Sequence, residues 1–80
     1  MISFNYTGDV GHLTVEQMDE FARILDESAL AECYDVDRTT LTLSGTIDRD
    51  TPAELFDNDI RTLAGGWLIK LDGYCEEVAS

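Results

Sequence analysis

Eighty residues with 44% apolar side chains make one small domain, residues 1–80, with a single core, and argue against disorder. Seventeen Asp and Glu stand against five Lys and Arg, a formal net charge of −12, where a small domain usually carries about 2–8. That balance disfavours direct binding to nucleic acid or to an anionic membrane, both of which recruit Lys and Arg, and it favours a basic partner.

Ile2, Phe4 and Tyr6 alternate with Ser3, Asn5 and Thr7, the pattern of a half-buried strand. Residues 7–12 are rich in turn formers and read as a connection. Thr14 with Gln17 three residues on is a capping box, and Leu13 can staple across the helix start. Val15, Met18, Phe21, Ala22, Leu25 and Ala29 recur at helical spacing as the buried stripe, while Glu16, Asp19, Glu20, Arg23, Asp26 and Glu27 occupy the opposite face.

Residues 30–36 resume an extended pattern, with Leu30, Tyr34 and Val36 on one side, and Asp37-Arg38-Thr39 turns back. Residues 40–47 show the strictest alternation in the chain. Leu41, Leu43 and Ile47 point one way, against Thr40, Thr42, Ser44 and Thr46, so this segment reads as a central strand. Gly45 falls on its apolar side, where a missing side chain marks a bulge or a close approach.

Thr51-Pro52-Ala53-Glu54 reads as a second capping box, with Thr51 as cap, Pro52 at the first helical position and Glu54 closing the box. The helix it opens buries Phe56, Ile60, Leu63 and Ala64 and ends at Gly65-Gly66. Trp67, Ile69 and Leu71 then alternate with Leu68 and Lys70 as a further strand. Asp72-Gly73 is a two-residue hairpin signal, which lets residues 74–78 return as a short fifth strand. The order β-α-β-β-α-β in a chain of this length predicts an α+β, ferredoxin-like sandwich: an antiparallel sheet with two helices on one face.

The chain start has neither a basic stretch nor an apolar core, so no signal peptide is expected. No apolar run approaches the roughly 18 residues of a membrane helix. The expectation is a cytoplasmic protein with Cys33 and Cys75 both reduced and at opposite edges of the sheet, too far apart to bridge.

RNA-recognition domains of this fold stack bases on aromatic residues of the central strands within a basic surround; here those positions of the open sheet face hold Ser, Asn and Thr, so direct nucleic-acid binding is not expected. Asp48, Asp50 and Glu54 place three carboxylates close together. Pro52 and Ala53 stand where a calcium loop needs a ligand and a glycine, and a turn followed by an acidic helix start accounts for all three. No metal is expected. A single histidine, His12, with no phosphate loop and no nucleophile context, points away from catalysis and from any cofactor.

The acidic helical face remains. Glu16 and Glu20 are like charges one turn apart, and Asp26 and Glu27 sit at the negative end of their helix, opposed by about 0.3–1 kcal/mol each. Glu54 and Asp57 on the second helix extend this surface. Glu16, Asp19, Glu20, Asp26, Glu27, Glu54 and Asp57 are therefore the candidate partner-binding residues. The expected protein is a non-enzymatic one that docks on a basic surface, most concretely by mimicking nucleic acid in the groove of a DNA- or RNA-binding protein or complex.

In size, acidity and lack of catalytic motifs the chain resembles the small phage-encoded anti-CRISPR and anti-restriction inhibitors, a likeness of overall character from which no residue role carries over. Two rival expectations are a salt-adapted small domain, for which one Lys and four Arg against ten Asp and seven Glu is also suitable, and a ligand-binding regulatory module. The strand and helix order resembles the ACT type, which carries a glycine-rich turn after the first strand, where this chain has Gly8-Asp9-Val10-Gly11.

Overall fold

The alternation of Ile2, Phe4 and Tyr6 with polar neighbours becomes an eight-residue strand, β1 (Ile2–Asp9), in a computed structural model of the chain that describes residues 1–28, 30, 32–48 and 50–78. It is followed by α1 (Val15–Glu27), β2 (Tyr34–Asp37), β3 (Thr40–Ile47), α2 (Ala53–Gly65) and β4 (Asp72–Glu77). The sheet is antiparallel throughout, in the order β2-β3-β1-β4. This is the ferredoxin-like α+β fold, with β3 and β1 in the interior and both helices on one face. The connection after β1 is shorter than its turn-forming residues suggest, because the strand continues through Gly8 to Asp9 opposite Thr40.

One core fills the space between the layers. Ile2, Phe4, Tyr6, Leu41 and Leu43 from the sheet meet Phe21 and Leu25 of α1 and Phe56, Ile60 and Ala64 of α2. Phe4 and Phe56 lie 5.2 Å apart, and Phe21 meets the Trp67 ring edge-on at 6.1 Å. Each such side chain contributes about 1.5–3 kcal/mol of burial.

Helix α1 begins as its sequence specifies: the Gln17 amide donates to Thr14 Oγ1 at 3.1 Å and the Thr14 amide to Gln17 Oε1 at 2.9 Å. Leu13 and Met18 pack against the core edge, as a staple requires. Val15 leaves the expected stripe and is 79% exposed, because the first turn of α1 projects past the core. Ala29 lies outside the described residues.

Residues 30–36 do not form one strand. Leu30 is buried in a turn that closes with the Leu30 amide on Leu25 O and the Cys33 amide on Leu30 O, and pairing starts only at Tyr34. Val36 lies at the open edge and is only partly covered. Gly45, on the core side of β3 at φ +147°, is the expected close approach. A Cβ there would lie 3.2 Å from Cys33 Sγ.

Helix α2 starts one residue later than the capping-box reading places it. The cap is Pro52, at φ −57° and ψ 146°, and its carbonyl accepts from the Leu55 and Phe56 amides. Thr51 lies outside the helix and makes no cap. The Ala53 amide donates instead to Glu77 Oε1 on β4 at 3.4 Å.

The C-terminal third departs most from expectation. Residues 67–71 are not a strand. The Leu68 amide donates to Gly65 O and the Ile69 amide to Ala64 O, so these donors close α2 and are lost to the sheet. With Leu68 at φ +60° this is a Schellman motif in which leucine holds the left-handed position, and Gly66 remains right-handed at φ −63°. The burial alternation of 67–71 still holds, since Ile69 and Leu71 reach the core while Leu68 and Lys70 do not.

Asp72-Gly73 is consequently the start of β4, and not a hairpin. Gly73, at φ +150°, pairs with Tyr6. Its missing Cβ leaves room for the Asn5 carbonyl and for Tyr6 Cα, 2.7 Å from where that Cβ would sit. The expected fifth strand is β4 itself, and the described residues hold four strands.

Candidate functional site

The acids expected to bind a partner lie on rigid elements. Glu16, Asp19, Glu20, Asp26 and Glu27 are all exposed along α1, on the side away from Phe21 and Leu25. Arg23 is the single cation among them, and neither helix has a basic residue in its last turn. Glu54 is exposed in the first turn of α2. None of these six accepts a hydrogen bond or an ion pair among the described residues, whose one ion pair is Arg61–Asp57.

Asp57 is placed differently from the other six. Its Oδ1 accepts from the Tyr6 hydroxyl at 2.5 Å, and its two oxygens accept from Arg61 Nε at 3.0 and 3.1 Å. Arg61 also donates to Leu71 O at 2.7 Å and to Gly73 O at 3.1 Å, and its guanidinium lies 5.4 Å from the Tyr6 ring centroid. The Tyr6 hydroxyl holds the Asp57 carboxyl below its ordinary value against the pull of desolvation, with Arg61 adding to the effect. Burial, then the hydrogen bonds to Asp57 and Cys75, push the Tyr6 phenol up. Asp57 thus anchors α2 to β1 and to the start of β4. Two signals for this were available in sequence: an inward tyrosine needs a partner for its hydroxyl, and Asp57 and Arg61 stand one helical turn apart.

On the opposite flank of α2, Asp59 shares a groove of about 250 Å³ with Ser28 and Leu30 at the end of α1. Asp59 is therefore the acid that carries the α1 surface onto α2, and the position of the Phe56–Ile60–Leu63 stripe could have indicated it.

The sheet face turned away from the helices has its own pattern. Strand register sets Asp37, Thr40 and Asp9 in one row across the sheet, and Asp35, Thr42, Thr7 and Asp72 in the next. Ser44, Asn5 and Tyr74 follow, then Thr46, Ser3 and Glu76. Rows of hydroxyls and one amide thus run between acids at the rim. None of the four strands contains a lysine or arginine. The alternation in sequence marks the inner positions of this face as Ser, Thr and Asn, and its rim of acids emerges only once the register is known.

Among the described residues no three His, Cys, Asp or Glu side chains converge as a metal centre, and no helix is long and apolar enough to cross a membrane. His12, in the loop before α1, donates from Nε2 to Trp67 O at 2.8 Å and ties that loop to the turn after α2. Comparison of the chain with protein-family models, with curated proteins and with solved structures finds no significant match.

Proposed function

We propose that this chain is a non-enzymatic, cytoplasmic interaction protein that docks on a basic partner, most concretely by occupying the groove in which a DNA- or RNA-binding protein receives phosphates. One observation carries the reading: unpaired carboxylates line both layers of an elongated body 38 × 21 × 20 Å across. A duplex 38 Å long presents about 22 phosphates at one charge per ~1.7 Å. Seventeen carboxylates on a body of that length reach roughly three quarters of that number. Fourteen of the seventeen stand on helices and strands, so a partner meets them already ordered, and little conformational entropy is lost on binding. The anti-CRISPR and anti-restriction inhibitors that the chain resembles in overall character exemplify such a function.

The two-sided distribution favours one other reading, a surface adapted to a high-salt cytoplasm, in which the acids serve hydration and no partner is implied. Folding in dilute buffer separates the two.

The docking surface is tested by capture. The tagged protein, incubated with a bacterial lysate at about 100 mM salt, is expected to retain a nucleic-acid-binding protein that elutes with rising salt and is displaced by duplex DNA. Reversal of Asp19, Glu20 and Glu27 to Lys removes no buried area and is expected to abolish retention while leaving the melting temperature unchanged or slightly raised. Retention by the triple variant equal to that of the parent would remove the helical face from the site. Capture of nothing that DNA displaces would refute mimicry.

A further inference from the structure

The chain already shows how it holds an arginine. The Arg61 guanidinium lies over the Tyr6 ring at 5.4 Å and is gripped by both oxygens of Asp57. The same residue types recur on the open sheet face with no arginine among them. Tyr74 is 61% exposed and is flanked on the same face of β4 by Asp72 and Glu76, both exposed. Opposite them on β1 stand the neutral Thr7, Asn5 and Ser3. Residues two apart on a strand are about 6.6–6.8 Å apart along it, so a guanidinium stacked on the Tyr74 ring can reach either carboxylate.

None of the three side chains has an ion pair or hydrogen bond within the described structure, and the four strands carry no cation; Lys70 lines a groove with Thr7 and Asp72 at one end of the strip and makes no ion pair with it. A base stacking on Tyr74 would bring its phosphate among these acids. A second copy of the chain would bring another −12. The complementary occupant is a basic protein surface that presents arginine, whose planar cation both stacks on an aromatic ring and bonds a carboxylate through two nitrogens.

We propose that the Asp72–Tyr74–Glu76 strip on β4 is an arginine-docking site for the basic partner. The inference rests on the reading of a basic partner and adds a contact on the layer opposite the helices. A groove that encloses the 20 Å thickness of the protein would meet α1 with one wall and this strip with the other. Lysine lacks both the stacking plane and the bidentate fork, so the site discriminates between the two cations.

The test uses the full-length, ¹⁵N-labelled protein titrated with octa-arginine and, separately, with octa-lysine at one fixed ionic strength of about 150 mM. Octa-arginine is expected to shift the amide resonances of Asp72, Tyr74, Glu76 and the facing Asn5, and to bind more tightly than octa-lysine. Tyr74→Thr keeps strand propensity and uncovers no core. It should weaken octa-arginine by about two- to fivefold and leave octa-lysine unchanged, whereas Tyr74→Phe should keep the parental affinity. Binding that shifts only α1 and α2, or that Tyr74→Thr weakens equally or not at all for the two peptides, overturns the strip and leaves the basic-partner reading standing. Failure of both peptides to bind overturns both.

Discussion

At the scale of single residues, the Tyr6–Asp57–Arg61 cluster is where polar chemistry enters the core. Tyr6 is fully buried, and a buried hydroxyl without an acceptor costs about 1–3 kcal/mol. Asp57 supplies that acceptor and is in turn neutralised by Arg61, whose remaining donors close the carbonyls of Leu71 and Gly73. Because the folded state holds the Asp57 carboxyl below its ordinary value of 3.8, its contribution is complete above that value and is lost as pH falls through the lower, folded one. Asp57→Asn is therefore expected to cost about 1.5 kcal/mol near neutrality, the low end for a bond to a charged group, because the carboxylate is one-third exposed. The gap in melting temperature between parent and variant should stay constant down to about pH 5 and begin to narrow below about pH 4. A gap that does not narrow at all as pH falls below about 4 would show that Asp57 acts by shape and not by charge.

At the scale of elements, the end of α2 decides how the last third of the chain is laid down. The left-handed residue that reverses the chain is Leu68, 83% exposed and at φ +60°, while Gly65 is still helical with nothing within 4 Å of where its Cβ would be. A left-handed non-glycine residue costs about 1–2 kcal/mol. Leu68→Gly should thus stabilise the fold by about 0.5–1 kcal/mol, after allowing for the freedom glycine adds to the unfolded chain. Gly65→Ala should stabilise by about 0.5–1 kcal/mol as a helix substitution. Urea unfolding of the two variants checks the motif. If Gly65→Ala destabilises instead, the chain reverses at the glycines and residues 67–71 are free to pair as a strand.

At the scale of the whole molecule, a net charge of −12 is held by a core drawn from both helices and the sheet, with one ion pair among the described residues. Self-repulsion on this scale is screened by salt, with a Debye length of about 10 Å at 0.1 M and 3 Å at 1 M. A protein whose acids await a partner should be folded in dilute buffer, whereas one adapted to high salt should lose its structure there. Circular dichroism melts at about 50 mM and 2 M salt distinguish them, and an unfolded protein at the lower value would sink the docking reading.

The strand order carries a second whole-molecule consequence. Cys33 lies beside Ser44 at the β2 edge and Cys75 on β4 at the other, with β3 and β1 between them. Three strand spacings make about 14 Å, twice the roughly 7 Å limit for a disulfide. Thiol quantification of the denatured, unreduced protein should count two free thiols, and an intramolecular disulfide would refute this order.

Local pattern alone determined most of the architecture. The alternation at 2–7 and 40–47 and the stripes of the two helices each depend on neighbours within a few residues, so they were legible without the fold. So were the Thr14–Gln17 box and the end of α2 near Gly65-Gly66. Tertiary structure decided what depends on contacts between distant segments. Trp67, Ile69 and Leu71 alternate like a strand, yet the Leu68 and Ile69 amides are claimed by α2, and β4 shifts to residues 72–77. Asp57 reads as one more surface acid, yet it lies within reach of Tyr6, 51 positions earlier in the chain. Asp72, Tyr74 and Glu76 share a face with Ser3, Asn5 and Thr7 only because β4 pairs with β1 in this register. A shift by one residue would have turned Tyr74 into the core and Cys75 to solvent, since side chains alternate with a period of two.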